Sequence, residues 1–240
     1  MPLPPEQRVT FFVYVIESPS AVDLYHRRSE GDVIRQAVNL NQIPCVVKTA
    51  ISFQAFEASL KIGLVEAVGQ VPGCIPILHI SAHGSSNGIQ LSSGEVIQWH
   101  LLKDFLRPIN NSLNGFLIVC MSSCEGYAGI RMAMHLEDQD YPFLALVGNS
   151  QKPTWGETAV GYAAFYHQLY RGEHISIAVT AMRAASGNQM FFLEHAQESR
   201  RAYLEYISDL NTSQVQASLQ KQYENEPPGH LDNLRKLILG

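Results

Sequence analysis

The sequence predicts an α/β fold with a mostly parallel central sheet and helices on both faces, followed by a helical C-terminal extension. Two observations carry this prediction. Short runs rich in Val, Ile, Leu and aromatic residues alternate with segments whose apolar residues recur every three or four positions, which is typical of strands connected by helices. From about residue 155 onwards, only the helical pattern remains.

The first half of the chain contains three predicted strands and two predicted helices. The strands are continuous apolar runs, as expected for strands buried on both faces. They are residues 10–17, 44–51 and 75–81. The helices are residues 29–41 and a segment that is capped by Ser52 and stopped by the Val-Pro-Gly of residues 71–73.

The second half begins with a small hairpin at residues 89–98 and then returns to strands and helices. The pattern predicts, in order, a helix at 99–107 stopped near Pro108, a strand at 115–121, a helix at 126–136 and a strand at 142–148. Helices follow at 156–171, 174–186 and 190–209, then a polar helix from Asn211 and a short one after Pro227-Pro228-Gly229. We expect a domain over residues 1–190 and a helical extension over residues 191–240.

The composition excludes several classes of protein. The 240 residues are 46% hydrophobic and carry a net charge of −5, which argues against nucleic-acid binding because that normally requires a basic face. No apolar run approaches the roughly 20 residues that span a bilayer, so no membrane association is expected. The N-terminus lacks the profile of a signal peptide, and the four cysteines form no CxxC pair, so we expect a reducing cytoplasm.

A histidine and a cysteine follow two neighbouring predicted strands. His83-Gly84 comes just after one strand, and Cys124 comes just after the next buried one. The carboxyl ends of parallel strands meet at one edge of a sheet, where ligands bind. A free thiol with a pKa of about 8.5 is only slightly ionised at neutral pH, and a nearby imidazole or helix N-terminus increases its thiolate fraction. The pair therefore indicates thiolate chemistry.

The two turns also offer groups for binding a substrate. The backbone N–H groups of Gly84 and Cys124 are candidates for stabilising an oxyanion, and glycine at position 84 allows close approach. The candidates for lining a substrate pocket are Ser122, Ser123, Glu125 and Glu157. Asp138 and Asp140 join Glu157 as acids near this edge that could receive a basic residue, although solvated loops are the simpler interpretation.

Simpler interpretations remain open for the other residues of this region. Cys124 and His83 could be ordinary turn residues, and His79 and Cys120 are expected to pack in the core. A zinc site built from these four residues is disfavoured because strand alternation separates His79 and His83 from a compact cluster of ligands. No metal or cofactor is expected.

Several separate motifs resemble the caspase-like cysteine peptidases, and especially their CHAT branch, which is also related to separase. That branch shows His-x-x-x-His-Gly at a strand end, a hairpin with Gly and Leu, and a second strand ending close to Ala-Cys-x-x-Gly. This chain has His79-Ile-Ser-Ala-His83-Gly84, then Gly88-Ile-Gln-Leu91, then Ser123-Cys124-Glu125-Gly126. A later strand, Trp155, Ala163-Ala-Phe-Tyr166 and Gly172 continue the likeness, which covers residues 10–187.

The resemblance implies a caspase-like three-layer sandwich with His83 and Cys124 as the catalytic dyad of a cysteine endopeptidase. It implies hydrolysis through a thioester acyl-enzyme, without a metal cofactor. Ser122-Ser123 stands where caspases have Gln-Ala, so specificity for aspartate is unsupported. The branch also implies a prokaryotic immune effector that cleaves a protein, such as a gasdermin-like pore former or a regulatory protein, after activation by a partner protein.

Two other functions remain alternatives at this stage. One is a non-catalytic interaction module that retains the fold without turnover. The other is a thiol amidase that acts on small molecules. Labelling by a thiol-reactive peptide separates the first from an enzyme, and a screen of peptide substrates separates the second.

Overall fold

A computed structural model of the chain describes residues 10–136 and 140–224. Within that part, eight strands form a sheet. They are β1 (Phe11–Ser18), β2 (Cys45–Thr49), β3 (Ile75–Ser85), β4 (Gly88–Gln90), β5 (Val96–Gln98), β6 (Ile118–Ser122), β7 (Ala145–Asn149) and β8 (Phe191–His195).

Helices pack on both faces of this sheet, and the described residues contain eight α-helices. They are α1 (Ala21–Tyr25), α2 (Glu30–Asn39), α3 (Phe53–Ala58), α4 (Leu64–Gln70), α5 (Trp99–Ser112), α6 (Trp155–Tyr170), α7 (Ile175–Ser186) and α8 (Ala196–Glu224). A π-helical turn, Ser59–Gly63, joins α3 to α4, and a 3-10 helix, Gly126–Ala133, follows β6.

The sheet is mostly parallel, with the order β2-β1-β3-β6-β7-β8. Strands β1, β2, β3, β6 and β7 run parallel to one another, and β8 at the edge is antiparallel to its neighbour β7. The hairpin of β4 and β5 extends from the end of β3. The prediction of a three-layer α/β fold with a mostly parallel sheet is confirmed, and β3 and β6 are neighbours as expected.

Each face of the sheet has its own apolar core. One core joins the β1 side chains of Phe12, Tyr14 and Ile16 to α3, α4 and α5. The other joins Val13 and Val15 of the same strand to α2, α6 and α7. Because successive side chains of a strand point to opposite faces, a continuous apolar run fills both cores, which explains why the strands lack alternation.

The prediction of a helix at residues 190–209 is wrong at its beginning, where residues Phe191–His195 form β8. Phe191 is fully buried, and the strand pairs with β7 in the register Val147↔Leu193. A short apolar run has no helical or strand period of its own. Pairing with β8 gives hydrogen-bond partners to the backbone groups along one edge of β7. This tertiary contact makes residues Phe191–His195 a strand.

Helix α5 also differs from the prediction, because it passes through Pro108 and ends at Ser112. Asn110 lies in the turn after the proline and is buried. Its side chain accepts a hydrogen bond from Leu117 N at 2.9 Å and donates one to Tyr141 O at 2.9 Å. These bonds hold the last turn in place although Pro108 supplies no N–H group.

The chain separates into two compact units, one that runs to Arg200 and a second that begins at Arg201. The whole sheet, including β8, belongs to the first unit. In the described ranges, no helix combines the length and the apolar character needed to cross a membrane.

Candidate active site

Strands β3 and β6 bring His83 and Cys124 to the same edge of the sheet. The two strands are paired up to the register Ser81↔Ser122, and each candidate residue lies two positions beyond that pair. Neighbouring strands are about 4.8 Å apart, so the two strand ends lie close together, and both candidate residues line one cleft. His83 is exposed and Cys124 is half-buried.

His83-Gly84 does not form the turn that the sequence predicts. Strand β3 continues to Ser85, and its last three residues pair with β4 in an antiparallel ladder that includes His83↔Gln90. The apolar run ends at Ile80, but the hairpin prolongs the strand. His83 is therefore held by a backbone ladder instead of a loose turn.

Gly84 lies directly against the Cys124 turn. A Cβ atom at position 84 would lie 2.3 Å from the carbonyl oxygen of Cys124 and 2.8 Å from the side chain of Ser123. Any side chain larger than hydrogen would force the two segments apart. This close approach joins the histidine strand to the cysteine turn.

The Cys124 turn is fixed by backbone bonds on both sides. Glu125 adopts a left-handed conformation with φ of 54°, and its N–H donates to Gln151 O at 2.7 Å. The N–H of Gly126 donates to Ser123 O at 3.1 Å. Within the described part of the chain, the N–H of Cys124 donates to no protein acceptor, so it is available to a ligand.

Both candidate residues line one cleft, which we call the Cys124 cleft, with a volume of about 390 Å³. Its lining comes from the carboxyl ends of β1, β3 and β6, the region from Pro19 to Glu30, and the start of α6. The lining residues are Glu17, Ser18, Pro19, Ser20, Asp23, Arg28, Glu30, Ser81, Ala82, His83, Ser122, Ser123, Cys124, Pro153, Trp155 and Thr158.

Two of the four predicted pocket residues, Ser122 and Ser123, line this cleft, whereas Glu125 and Glu157 do not. Glu157 instead completes a capping box with Thr154 at the start of α6 and accepts a bond from Asn188 at 3.1 Å. The Thr154 bonds are the main reason that the pKa of the Glu157 carboxyl is lowered. Its place in that box explains why it is absent from the cleft.

Of the other two acids suggested for a basic pocket, the structure describes only Asp140. Asp140 accepts a hydrogen bond from Asn111 at 2.6 Å and is not among the lining residues. Asp138 lies outside the described residues.

Three different acids line the cleft, and the first is Glu30. It is 6% exposed and begins α2. Its two carboxylate oxygens accept hydrogen bonds from Ser122 Oγ at 2.6 Å and from Ser81 Oγ at 2.7 Å. Ser81 and Ser122 are paired residues of β3 and β6, and each lies two positions before a member of the candidate dyad, so Glu30 joins the two strands close to that pair.

Glu17, the second acid, is the penultimate residue of β1 and is 5% exposed. Its carboxylate accepts hydrogen bonds from Ser29 Oγ at 2.8 and 2.9 Å and from the N–H of Gly31 at 2.7 Å. A Cβ at Gly31 would lie 2.9 Å from this carboxylate, so the helix N-terminus closely approaches the acid. All of these donors are neutral.

Asp23 is the third acid and lies in the more exposed part of the cleft, where Arg28 forms an ion pair with it at 2.8 Å. A hydrogen bond from the Ser20 hydroxyl lowers the pKa of the Asp23 carboxyl, partial burial opposes this shift, and the charges of Arg28 and His83 add to the lowering. Asp23 and His83 line the same cleft.

The remaining histidine and cysteine candidates of this region lie in the core. His79 is fully buried, its Nδ1 is 2.9 Å from Tyr166 Oη, and its Nε2 lies 3.5 Å from Glu30 Oε1. Burial raises the pKa of the Cys120 thiol to about 12. The core placement that the sequence predicts for both residues is observed. Among the described residues, no group of three or more His, Cys, Asp or Glu side chains could hold a metal ion.

Sequence reasoning did not identify the three acids, although one signal was present. Glu17 is a charged residue at the carboxyl end of an otherwise apolar strand, which is where parallel sheets bind ligands. Glu30 looks like an ordinary acid in the first turn of a helix, and Asp23 lies in the short helix α1, which the apolar pattern does not reveal.

Comparisons with known proteins give a limited structural likeness. No protein-family model and no curated protein matches the sequence. The structure is similar to the complex of the RgpB pro- and mature domains from Porphyromonas gingivalis, with 11% identity and a TM-score of 0.44 over 77% of this chain and 47% of that chain. It is also similar to the Arg-specific cysteine proteinase gingipain R, with 10% identity and a TM-score of 0.44 over 75% and 44% of the two chains.

This chain therefore spans a little under half the length of the solved proteins that it matches. A TM-score of 0.44 does not assign a family.

Proposed function

We propose that this protein is a cysteine endopeptidase in which Cys124 is the nucleophile and His83 is the general acid and base. The observation that carries the proposal is the junction of β3 and β6. Paired strands present the two side chains in one cleft, and Gly84 packs against the carbonyl group of Cys124. The resemblance of the surrounding motifs to caspase-like peptidases supports the same assignment.

The chemistry follows from these positions. The sulfur of Cys124 attacks the carbonyl carbon of the scissile bond, and the N–H groups of Cys124 and Gly84 stabilise the oxyanion that forms. His83 transfers the thiol proton to the leaving amine, and a thioester remains on the enzyme. Water, deprotonated by His83, then attacks the thioester, which releases the carboxylate product and returns the thiol.

The first test replaces each member of the dyad. We expect Cys124→Ala to reduce peptide hydrolysis by at least about 1,000-fold, and His83→Ala by about 100- to 10,000-fold, because each removes a reacting group. Hydrolysis of a fluorogenic peptide library measures both losses. Cys74→Ala is the matched control, since it removes a half-buried thiol that does not line the cleft. Hydrolysis that survives Cys124→Ala would refute the assignment.

Covalent labelling distinguishes this function from a non-catalytic interaction module. A peptidyl acyloxymethyl ketone should modify Cys124 at pH 7.5, with the adduct located by mass spectrometry. Cys45 and Cys120 should remain unmodified because burial raises the pKa of each thiol to about 12. An interaction module would show no selective modification of Cys124, and a small-molecule amidase would ignore the whole peptide library.

The proposal extends to the biological role that the resemblance implies. The protein substrate would be a gasdermin-like pore former or a regulatory protein, cleaved during prokaryotic immunity in the cytoplasm after a partner protein activates the enzyme. Mapping of cleaved bonds across the proteome with the wild type and the Cys124→Ala variant tests this role. Bonds cut only by the wild type identify the substrate.

A further inference from the structure

The Cys124 cleft contains more negative charge than its own cations balance. Glu17, Asp23 and Glu30 all line it, and Arg28 is the only lysine or arginine among the described lining residues. Arg28 is already paired with Asp23 at 2.8 Å. The cleft therefore retains two carboxylates, those of Glu17 and Glu30, that pair with no arginine or lysine of residues 10–136 and 140–224.

These two carboxylates are deeply buried and are bonded almost entirely to neutral groups. Glu17 receives bonds from Ser29 and the Gly31 N–H, and Glu30 receives bonds from Ser81 and Ser122. The imidazole of His79 lies 3.5 Å from Glu30 but forms no hydrogen bond through Nε2. Buried carboxylates are normally paired with a cation. A carboxylate has about four lone-pair positions, so both acids can accept further bonds.

The remaining walls of the cleft also suit a cationic side chain. Trp155 lines the cleft and is 45% exposed, so its indole face is available for stacking with a guanidinium or ammonium group. Ser123 also lines the cleft and is 4% exposed, and its buried hydroxyl has no hydrogen-bond partner among the residues that the structure describes. This hydroxyl is a second, independent polar group left for a ligand.

The acids lie at a suitable distance from the reacting residues. Glu30 binds Ser81 and Ser122, and each serine is two residues before a member of the dyad. Two residues of a strand span about 7 Å. A substrate residue whose backbone lies at Cys124 therefore needs a long side chain to reach Glu30. The side chain that reaches this depth belongs to the residue whose carbonyl group the thiol attacks.

From these observations we infer that the Cys124 cleft selects a basic residue, arginine or lysine, immediately before the scissile bond, with Glu17, Asp23 and Glu30 as its specificity-determining residues. This inference rests on the proposed function, since it names the substrate class of the same site. It assigns a charge preference opposite to that of caspases.

A pair of probes that differ only in charge tests the inference. One peptidyl acyloxymethyl ketone carries arginine at the position that corresponds to the residue before the scissile bond. The other carries citrulline there, which has a similar shape but no charge. The measured quantity is the ratio of their labelling rates at Cys124. We expect the arginine probe to react about 10- to 100-fold faster, as is typical for a charge-assisted hydrogen bond in a partly buried site.

Three variants assign the preference to the cleft. Glu30→Gln should bring the ratio close to one. Glu57→Gln should leave the ratio unchanged, because Glu57 lies on α3 outside the cleft, where it pairs with Lys61. Arg28→Gln should raise the ratio, because it frees Asp23 from its internal cation. A rise cannot come from misfolding, so this variant remains informative if Glu30→Gln proves unstable.

The outcomes separate this inference from the proposed function. Equal labelling by the two probes, or faster labelling by the citrulline probe, would overturn the charge preference while Cys124 remained the nucleophile. A ratio that Arg28→Gln lowers, or that Glu57→Gln changes as much as Glu30→Gln, would overturn the assignment to these acids. Failure of every probe to label Cys124 would refute the proposed function, and the inference with it.

Discussion

At the scale of single residues, Gly84 joins the two halves of the candidate site. Its Cα lies so close to the Cys124 carbonyl that a Cβ would be 2.3 Å from the oxygen. The contact partner is backbone, which cannot rotate away as a flexible side chain would. The identity of this one residue therefore determines the spacing between the histidine strand and the cysteine turn.

Replacement of Gly84 by alanine should damage both stability and activity. We expect a loss of about 1–3 kcal/mol in the free energy of unfolding, which is typical of overpacking, and a loss of about 100-fold or more in activity because the dyad is displaced. Urea unfolding and peptide hydrolysis measure the two effects.

Gly69→Ala is the matched control for Gly84→Ala. A Cβ at position 69 meets nothing within 4 Å, and the residue lies in α4. Alanine should stabilise that helix by about 0.5–1 kcal/mol. A Gly84→Ala variant as stable and active as Gly69→Ala would show that the close approach is not required.

At the scale of elements, local sequence signals and tertiary contacts compete. The π-helical turn between α3 and α4 illustrates this, because Tyr14 Oη donates a 2.6 Å hydrogen bond to Ser59 O from the adjacent strand β1. The N–H of Leu64 then reaches Ser59 O across five residues instead of four. Periodicity alone predicts one continuous helix here and contains no sign of the turn.

Helix α5 provides the prediction at this scale. Pro108 is exposed inside the helix and supplies no N–H for the backbone ladder. Pro108→Ala should therefore raise the free energy of unfolding by about 1–2 kcal/mol, since proline in a helix costs about 3 kcal/mol and part of this is offset in the unfolded chain. Urea unfolding measures the change. A lower free energy of unfolding would mean that Pro108 stabilises the last turn of α5.

Asn110 provides the counter-experiment for the same helix. Asn110→Ala leaves the N–H of Leu117 and the carbonyl group of Tyr141 without their side-chain partner. We expect a loss of about 1–3 kcal/mol, opposite in sign to the proline replacement.

At the scale of the whole molecule, the sheet ends before the second compact unit begins. All eight strands precede Arg201. A chain ending at Arg200 should therefore keep one cooperative unfolding transition and the labelling of Cys124. Thermal unfolding monitored by circular dichroism, together with the ketone probes, measures both. A truncated chain that fails to fold would show that the first unit depends on residues after Arg200.

The sequence alone predicts much of this fold, because buried positions are apolar and form runs in strands or recur every three or four residues in helices. Strands β1, β2, β3, β6 and β7 are visible as apolar runs, and their order predicts neighbouring β3 and β6. The same reasoning predicts that His83 and Cys124 lie at the carboxyl edge of the sheet, because each comes shortly after an apolar run. Strand β8 is missed because its five residues lack a distinguishing period, and only the open edge of β7 makes them a strand.

What the sequence by itself determined is most of the strands and helices, and the placing of His83 and Cys124 at the carboxyl edge of the sheet, since these depend on burial and on where apolar runs end. Only the tertiary structure decided the acidic lining of the cleft. Ser122 and Glu30 are 92 residues apart in the chain but share a 2.6 Å hydrogen bond. The physical reason is that such a contact depends on how separate elements pack together, and no local period of the sequence encodes it.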